Sequence, residues 1–157
     1  MAHLLVDLDT IDLDGVVVTP DEVAEINPQC GAMRQLDHVI WMSENSQCAV
    51  GVKSVRHDEF WVPLHIPGRP LMPGVLMIEA VAQLSSVQYR FREGIIKFLG
   101  FTRCTDTSFR GQVVPGDKLY LLSKAMSTNR RRFINCCQGV VNGKLVFESK
   151  ITGMVLE

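Results

Sequence analysis

Long apolar runs are missing from this 157-residue chain, and with them any segment able to span a bilayer as a helix. Charge of one sign is missing too. Sixteen Lys and Arg stand against seventeen Asp and Glu, a formal net charge of −1. Near neutrality argues against bulk electrostatic attachment, so neither nucleic acid nor a membrane surface is expected as a partner. The N-terminus, Met-Ala-His-Leu-Leu-Val-Asp-Leu-Asp, has no basic region before its short apolar run and carries acids within ten residues. Neither a signal nor a transit peptide is expected, and the cytoplasm is the expected location. The five cysteines, Cys30, Cys48, Cys104, Cys136 and Cys137, are odd in number and contain no C-x-x-C spacing. Adjacent Cys136 and Cys137 in a strand would point to opposite faces, so buried free thiols are expected rather than bridges. There is no internal repeat, linker or low-complexity tract. The remaining composition, 46% hydrophobic and 21% charged, is that of an ordinary globular chain. One domain over residues 1–157 is expected, with residues 1–33 as an arm and short helix.

Residues 1–18 alternate apolar and acidic positions and fit a short strand or a flexible arm equally. Thr19-Pro20-Asp21-Glu22 is clearer: Thr19 can cap, Pro20 suits the first helical position, and Glu22 completes a capping box. Asn27-Pro28 should stop that helix. Leu36–Met42 and Cys48–Val55 read as two strands of a hairpin. A helix from Gly74 to about Phe91, roughly 27 Å long at 1.5 Å per residue, is apolar nearly all round in its first turns, as a buried element would be. Glu79, Gln83, Ser86 and Arg90 form its one polar stripe at helical spacing. Strands are then expected near Ile95–Arg103, Thr107–Val113, Lys118–Ser127, Arg132–Val141 and Lys144–Leu156. Pro115-Gly116-Asp117 marks a turn, and Asn142-Gly143 a tight hairpin. A hairpin, a long buried helix and a run of antiparallel strands describe an α+β fold with a sheet wrapped on a central helix.

The residues before and within that helix carry the chemistry. His65-Ile-Pro-Gly-Arg-Pro-Leu-Met-Pro-Gly74 is a histidine followed by a loop stiffened at Pro67, Pro70 and Pro73. It runs directly into the helix that bears Glu79. A helix N-terminus presents free N–H groups and partial positive charge, and glycine at Gly74 allows close approach. A lone histidine in such a loop is usually structural, and a lone glutamate on a helix is usually solvated. Their joint occurrence in one motif makes them an acid/base candidate. His3, His38 and His57 have no comparable context and are read as structural. No residues suggest a metal site or a phosphate loop.

The segment from His65 through Glu79 to Gln83 resembles the active-site segment of the β-hydroxyacyl-acyl-carrier-protein dehydratases, the FabZ and FabA group of fatty-acid synthesis. Phe109-Arg110 and Val114-Pro115-Gly116-Asp117-Lys118-Leu119 resemble that family's later strand and turn. Glutamate rather than aspartate at position 79 looks more like FabZ than FabA. The resemblance implies a hot-dog fold and a cofactor-free dehydration of 3-hydroxyacyl chains on an acyl carrier protein. His65 would then be the base for the C2 proton, and Glu79 the acid that protonates the departing C3 hydroxyl. An imidazole suits the base. A carboxylic acid keeps its proton only in apolar surroundings, which Val75, Leu76, Ile78 and Ala82 are expected to supply. The resemblance further assigns the Gly74 amide to the thioester carbonyl and Gln83 to orienting the acid. It places His65 and Glu79 of one site on opposite subunits of a homodimer or a trimer of dimers. The chain departs from the family at Asn27-Pro28-Gln29-Cys30-Gly31, where a Pro-His-Arg segment is usual, and at Leu64, where glycine is usual. It also has an extra residue between Phe60 and His65, and a longer stretch from Gly100 to Phe109.

Two rival functions fit the same fold: a thioesterase or hydratase acting on acyl-CoA, and an acyl-binding module without catalysis. Retention of both His65 and Glu79 speaks against the second. Arg130, Arg131 and Arg132, with Arg90, Arg92, Lys97 and Arg103, form a basic set suited to an acidic carrier protein or to the phosphate of its phosphopantetheine arm. A solvated turn and helix end would look the same.

Overall fold

The computed structural model describes residues 3–156. Its axis is the helix α2, Gly74–Glu93, which ends where Gly94 adopts φ 65° and donates its N–H to Arg90 O. Only a residue tolerant of the left-handed region closes a helix in this way. Its first turn has no side-chain cap, because Pro73 occupies the cap position. One sheet wraps the helix. It contains β1 (His38–Met42), β2 (Cys48–Ser54), β3 (Leu99–Phe109), β4 (Lys118–Asn129), β5 (Arg132–Val141) and β6 (Lys144–Val155) in the order β1-β2-β4-β5-β6-β3, and every described pairing is antiparallel. The expected α+β wrapping is therefore observed, with the hairpins placed where Asn142-Gly143 and the Ser43–Ser46 turn put them.

The core lies between helix and sheet. Leu76, Met77, Ala80, Val81, Leu84 and Val87 of α2 meet Val39, Leu119, Leu121, Phe147 and Ile151. Alternate residues of β2 and β4, Val50, Val52 and Leu122, point the other way, and they too are buried. The N-terminal arm covers them with Leu4, Leu5, Val6, Leu8, Ile11 and Leu13. Gln138 fastens the arm by accepting from Leu5 N–H at 2.8 Å and donating to His3 O at 3.1 Å. From His3 on, the arm is thus ordered and contains a 3-10 turn, Leu8–Thr10; among the described residues only its end at Val18 bridges a strand, at Val39. Helix α1, Pro20–Ile26, has the full capping box between Thr19 and Glu22. Asn27 follows it as expected.

Three expectations are corrected. Ile95–Arg103 and Thr107–Val113 are not two strands. Thr105-Asp106-Thr107 spells a turn, but here it is a bulge, with Asp106 at φ 53°, through which β3 continues to Phe109 against β6. Residues 110–113 lie outside the strand. The first turn of α2 is not buried all round, since Val75 is 70% exposed. The cysteines are free, but Cys30 is exposed rather than buried. Cys137 does lie in the core, where desolvation pushes its thiol up to about 12. No helix among the described residues is long and apolar enough to cross a membrane.

Candidate active site

The polar stripe of α2 faces a cavity of about 370 Å³, and Glu79, Gln83, Ser86 and Arg90 all line it. Its other walls are the segment after α1 (Asn27, Pro28 and Gln29), the approach to β3 from Ile95 to Phe101, and Phe133, Ile151 and Gly153. Helical spacing therefore placed four polar side chains along one wall of one space, which is what the 3.6-residue period requires.

Glu79 is half-buried and tethered. Gln83, one turn on, donates from Nε2 to Glu79 Oε1 at 2.8 Å and to Met33 O at 2.8 Å. Its Oε1 accepts the backbone N–H groups of Gln35 at 2.9 Å and Leu36 at 3.1 Å. Those N–H groups can only donate, so the amide has one possible orientation, with its N–H₂ toward Glu79. Glu79 Oε1 is thereby fixed as an acceptor. Oε2 is left as the oxygen able to carry and release a proton. The backbone of Gln83 is held as well: Asn27, 4% exposed, donates from Nδ2 to Gln83 O at 3.0 Å. Among the described residues, Asn27 Oδ1 and Gln29 Oε1 are buried and unpartnered.

The apolar surroundings of Glu79 differ from expectation. Val75 is exposed, Leu76 belongs to the core, and of the four expected neighbours only Ala82 lines the cavity. Ile26, Leu99 and Phe101 supply apolar wall instead. They come from elements distant in sequence, so no local pattern announces them.

His65 is exposed and lies outside the cavity lining. Its loop is nonetheless well defined. His65 N–H bonds Trp61 O at 2.8 Å, and Nδ1 lies 2.9 Å from Leu71 O. A carbonyl only accepts, so Nδ1 carries a proton, and in the neutral imidazole the lone pair is on Nε2. Behind the loop, Lys53 and Glu59 form an ion pair at 2.7 Å with both side chains 3% exposed. Nothing in the polar run Arg56–Glu59 marks Glu59 as buried. Gly74 meets the ring of Phe109, from which an added Cβ would lie 2.7 Å, so glycine is required there for close packing. Thus one chain brings Glu79 and Gln83 together on a cavity wall and leaves His65 apart from them.

A profile of the FabA-like domain matches residues 27–150. The chain belongs to that family. It is 36% identical over 142 residues to a 3-hydroxyacyl-[acyl-carrier-protein] dehydratase FabZ of Clostridium acetobutylicum, covering 87% of this chain and 96% of that one. It is also 31% identical over 152 residues to the bifunctional enzyme LpxC/FabZ of Chlorobaculum tepidum; the match covers 91% of this chain but only 31% of that longer protein. The solved dehydratase heterocomplex ApeI:P from Xenorhabdus doucetiae shares the fold, with a TM-score of 0.73 at 15% identity over 86% of this chain and 91% of the other. The FabA-like assignment confirms the family resemblance of the His65–Gln83 segment and the hot-dog arrangement of sheet and helix. Among the described residues, no group of His, Cys, Asp and Glu side chains is arranged to hold a metal ion.

Proposed function

We propose that the protein eliminates water from 3-hydroxyacyl chains carried on acyl carrier protein, giving trans-2-enoyl chains for fatty-acid synthesis. The observation that carries this reading is the tether of Glu79 to Gln83 on the wall of a cavity in a FabA-like chain. In the reaction, Nε2 of His65 takes the proton from C2. Electrons move to the C2–C3 bond as the C3 hydroxyl leaves, and Oε2 of Glu79 delivers the proton that makes it water. Imidazolium and carboxylate then exchange the proton through solvent, and the site is restored. The N–H of Gly74, at the uncapped N-terminus of α2, steadies the thioester oxygen as charge develops on it.

His65 and Glu79 of one site belong to different copies of the chain. The exposure of His65, away from Glu79's cavity, supports this, as do its exposed apolar chain neighbours: Leu64 is 72% and Ile66 39% exposed. The outer edge of β3 has no strand partner among the described residues and carries exposed Phe101. A second copy can complete that edge.

The test is incubation of the purified protein with a 3-hydroxyacyl carrier-protein thioester and with the CoA ester, followed by mass spectrometry. Enoyl product is expected, with the carrier protein preferred. Free thiol without enoyl product would instead indicate a thioesterase, and no turnover of either would indicate a binding module.

A further inference from the structure

The reacting carbons sit at Glu79, so the acyl chain beyond C3 must occupy the rest of the cavity. That space does not suit a plain hydrocarbon tail. Arg90 lies on the same wall eleven residues farther along α2, about 16 Å at the helical rise. It is half-buried, and among the described residues its guanidinium makes no hydrogen bond or ion pair, even with Glu93 one turn on. Lys97 lines the cavity as a second cation, and among the described residues Glu25 is the one acid there besides Glu79. Asn27 Oδ1, buried and unpartnered, adds polarity nearer the reacting end. An all-methylene chain would strip water from the half-buried Arg90 and return nothing.

We infer that Arg90 is a specificity-determining residue and that the preferred acyl chain ends in a carboxylate, held by the Arg90 guanidinium at the far end of the cavity. The planar fork of arginine matches a carboxylate with two parallel N–H···O bonds, which a methyl terminus cannot accept. The position is out of reach of the thioester end. This inference rests on the reading of the cavity as the acyl-chain site.

Binding and turnover separate the two claims. Saturated pantetheine thioesters, which lack the C3 hydroxyl and cannot be dehydrated, would be titrated calorimetrically into the full-length protein. Two chains of equal, medium length are compared, one ending in a carboxylate and one in methyl. The wild type is expected to bind the carboxylate-ended chain roughly tenfold or more tightly. Arg90→Met should remove that preference, and Arg90→Lys, which keeps charge without the fork, should retain part of it. Equal affinity for both chains in the wild type would overturn the inference. So would an Arg90→Met variant that weakens both chains alike, since that places Arg90 on the carrier arm. Absence of enoyl product in the separate turnover assay would count against the dehydratase reading alone.

Discussion

The side-chain amide of Gln83 has four hydrogen-bonding positions, and all four are used. It joins the backbone at Met33, Gln35 and Leu36 to the carboxylate of Glu79. Replacing it with leucine strands two N–H groups and a carbonyl, each costing about 1–3 kcal/mol when buried. Gln83→Leu should therefore lower unfolding stability by about 3 kcal/mol or more, read from urea midpoints, and should lose dehydration as well. The proposed reacting pair behaves differently. His65 is exposed and Glu79 gives its fold one hydrogen bond, so His65→Ala and Glu79→Gln should each abolish enoyl formation while leaving the urea midpoint within about 1 kcal/mol of wild type. Near-wild-type turnover in either variant would sink the mechanism. The contrast also marks what was legible at this scale. His65, Gly74, Glu79 and Gln83 were candidates because they lie in one contiguous motif, and two of them, Glu79 and Gln83, share the cavity wall. The cradle of Gln83 could not, since its partners are backbone groups 47 to 50 residues away that no residue type spells.

Among the elements, the long helix and the hairpins were legible because each has local punctuation: Pro73 and Gly94 bracket α2, and Asn142-Gly143 closes the last hairpin. The arm and β3 were not. Leu4 to Leu13 carry apolar residues at intervals that match neither a strand nor a helix, because they follow the outward side chains of β2 and β4 rather than a ladder. That makes the arm a second cover rather than an appendage. Removing residues 1–13 would expose Val50, Val52, Leu122, Val140 and Ile40, and each large apolar side chain returned to water forfeits about 1.5–3 kcal/mol. The truncated chain should show a clearly lower urea midpoint and should bind the dye ANS. Its α2 contacts are untouched, so any residual folded fraction should still dehydrate substrate. An unchanged midpoint would mean the arm contributes nothing to stability.

At the scale of the whole molecule, the two edges of the sheet differ. Residues 17 and 18 lie over β1, where Val17 and Val18 N–H groups both donate to Val39 O. The β3 edge is open and is flanked by the exposed apolar residues near the histidine loop. If two copies meet there and exchange His65 and Glu79, activity belongs to the pair of chains rather than to either. Two inactive variants then become a test. In a dimer formed from one His65→Ala chain and one Glu79→Gln chain, one site inherits both substitutions and the other inherits neither. Random reassembly of an equal mixture, after mild denaturation and refolding, puts half of the chains in such mixed dimers, and each has one of its two sites intact. Recovered activity should be roughly a quarter of wild type, from parents that are each inactive. Sites contained within single chains would recover none, because every chain carries a defect. If the sites are shared, the same preparation diluted until sedimentation shows only single chains should lose activity in step with dissociation.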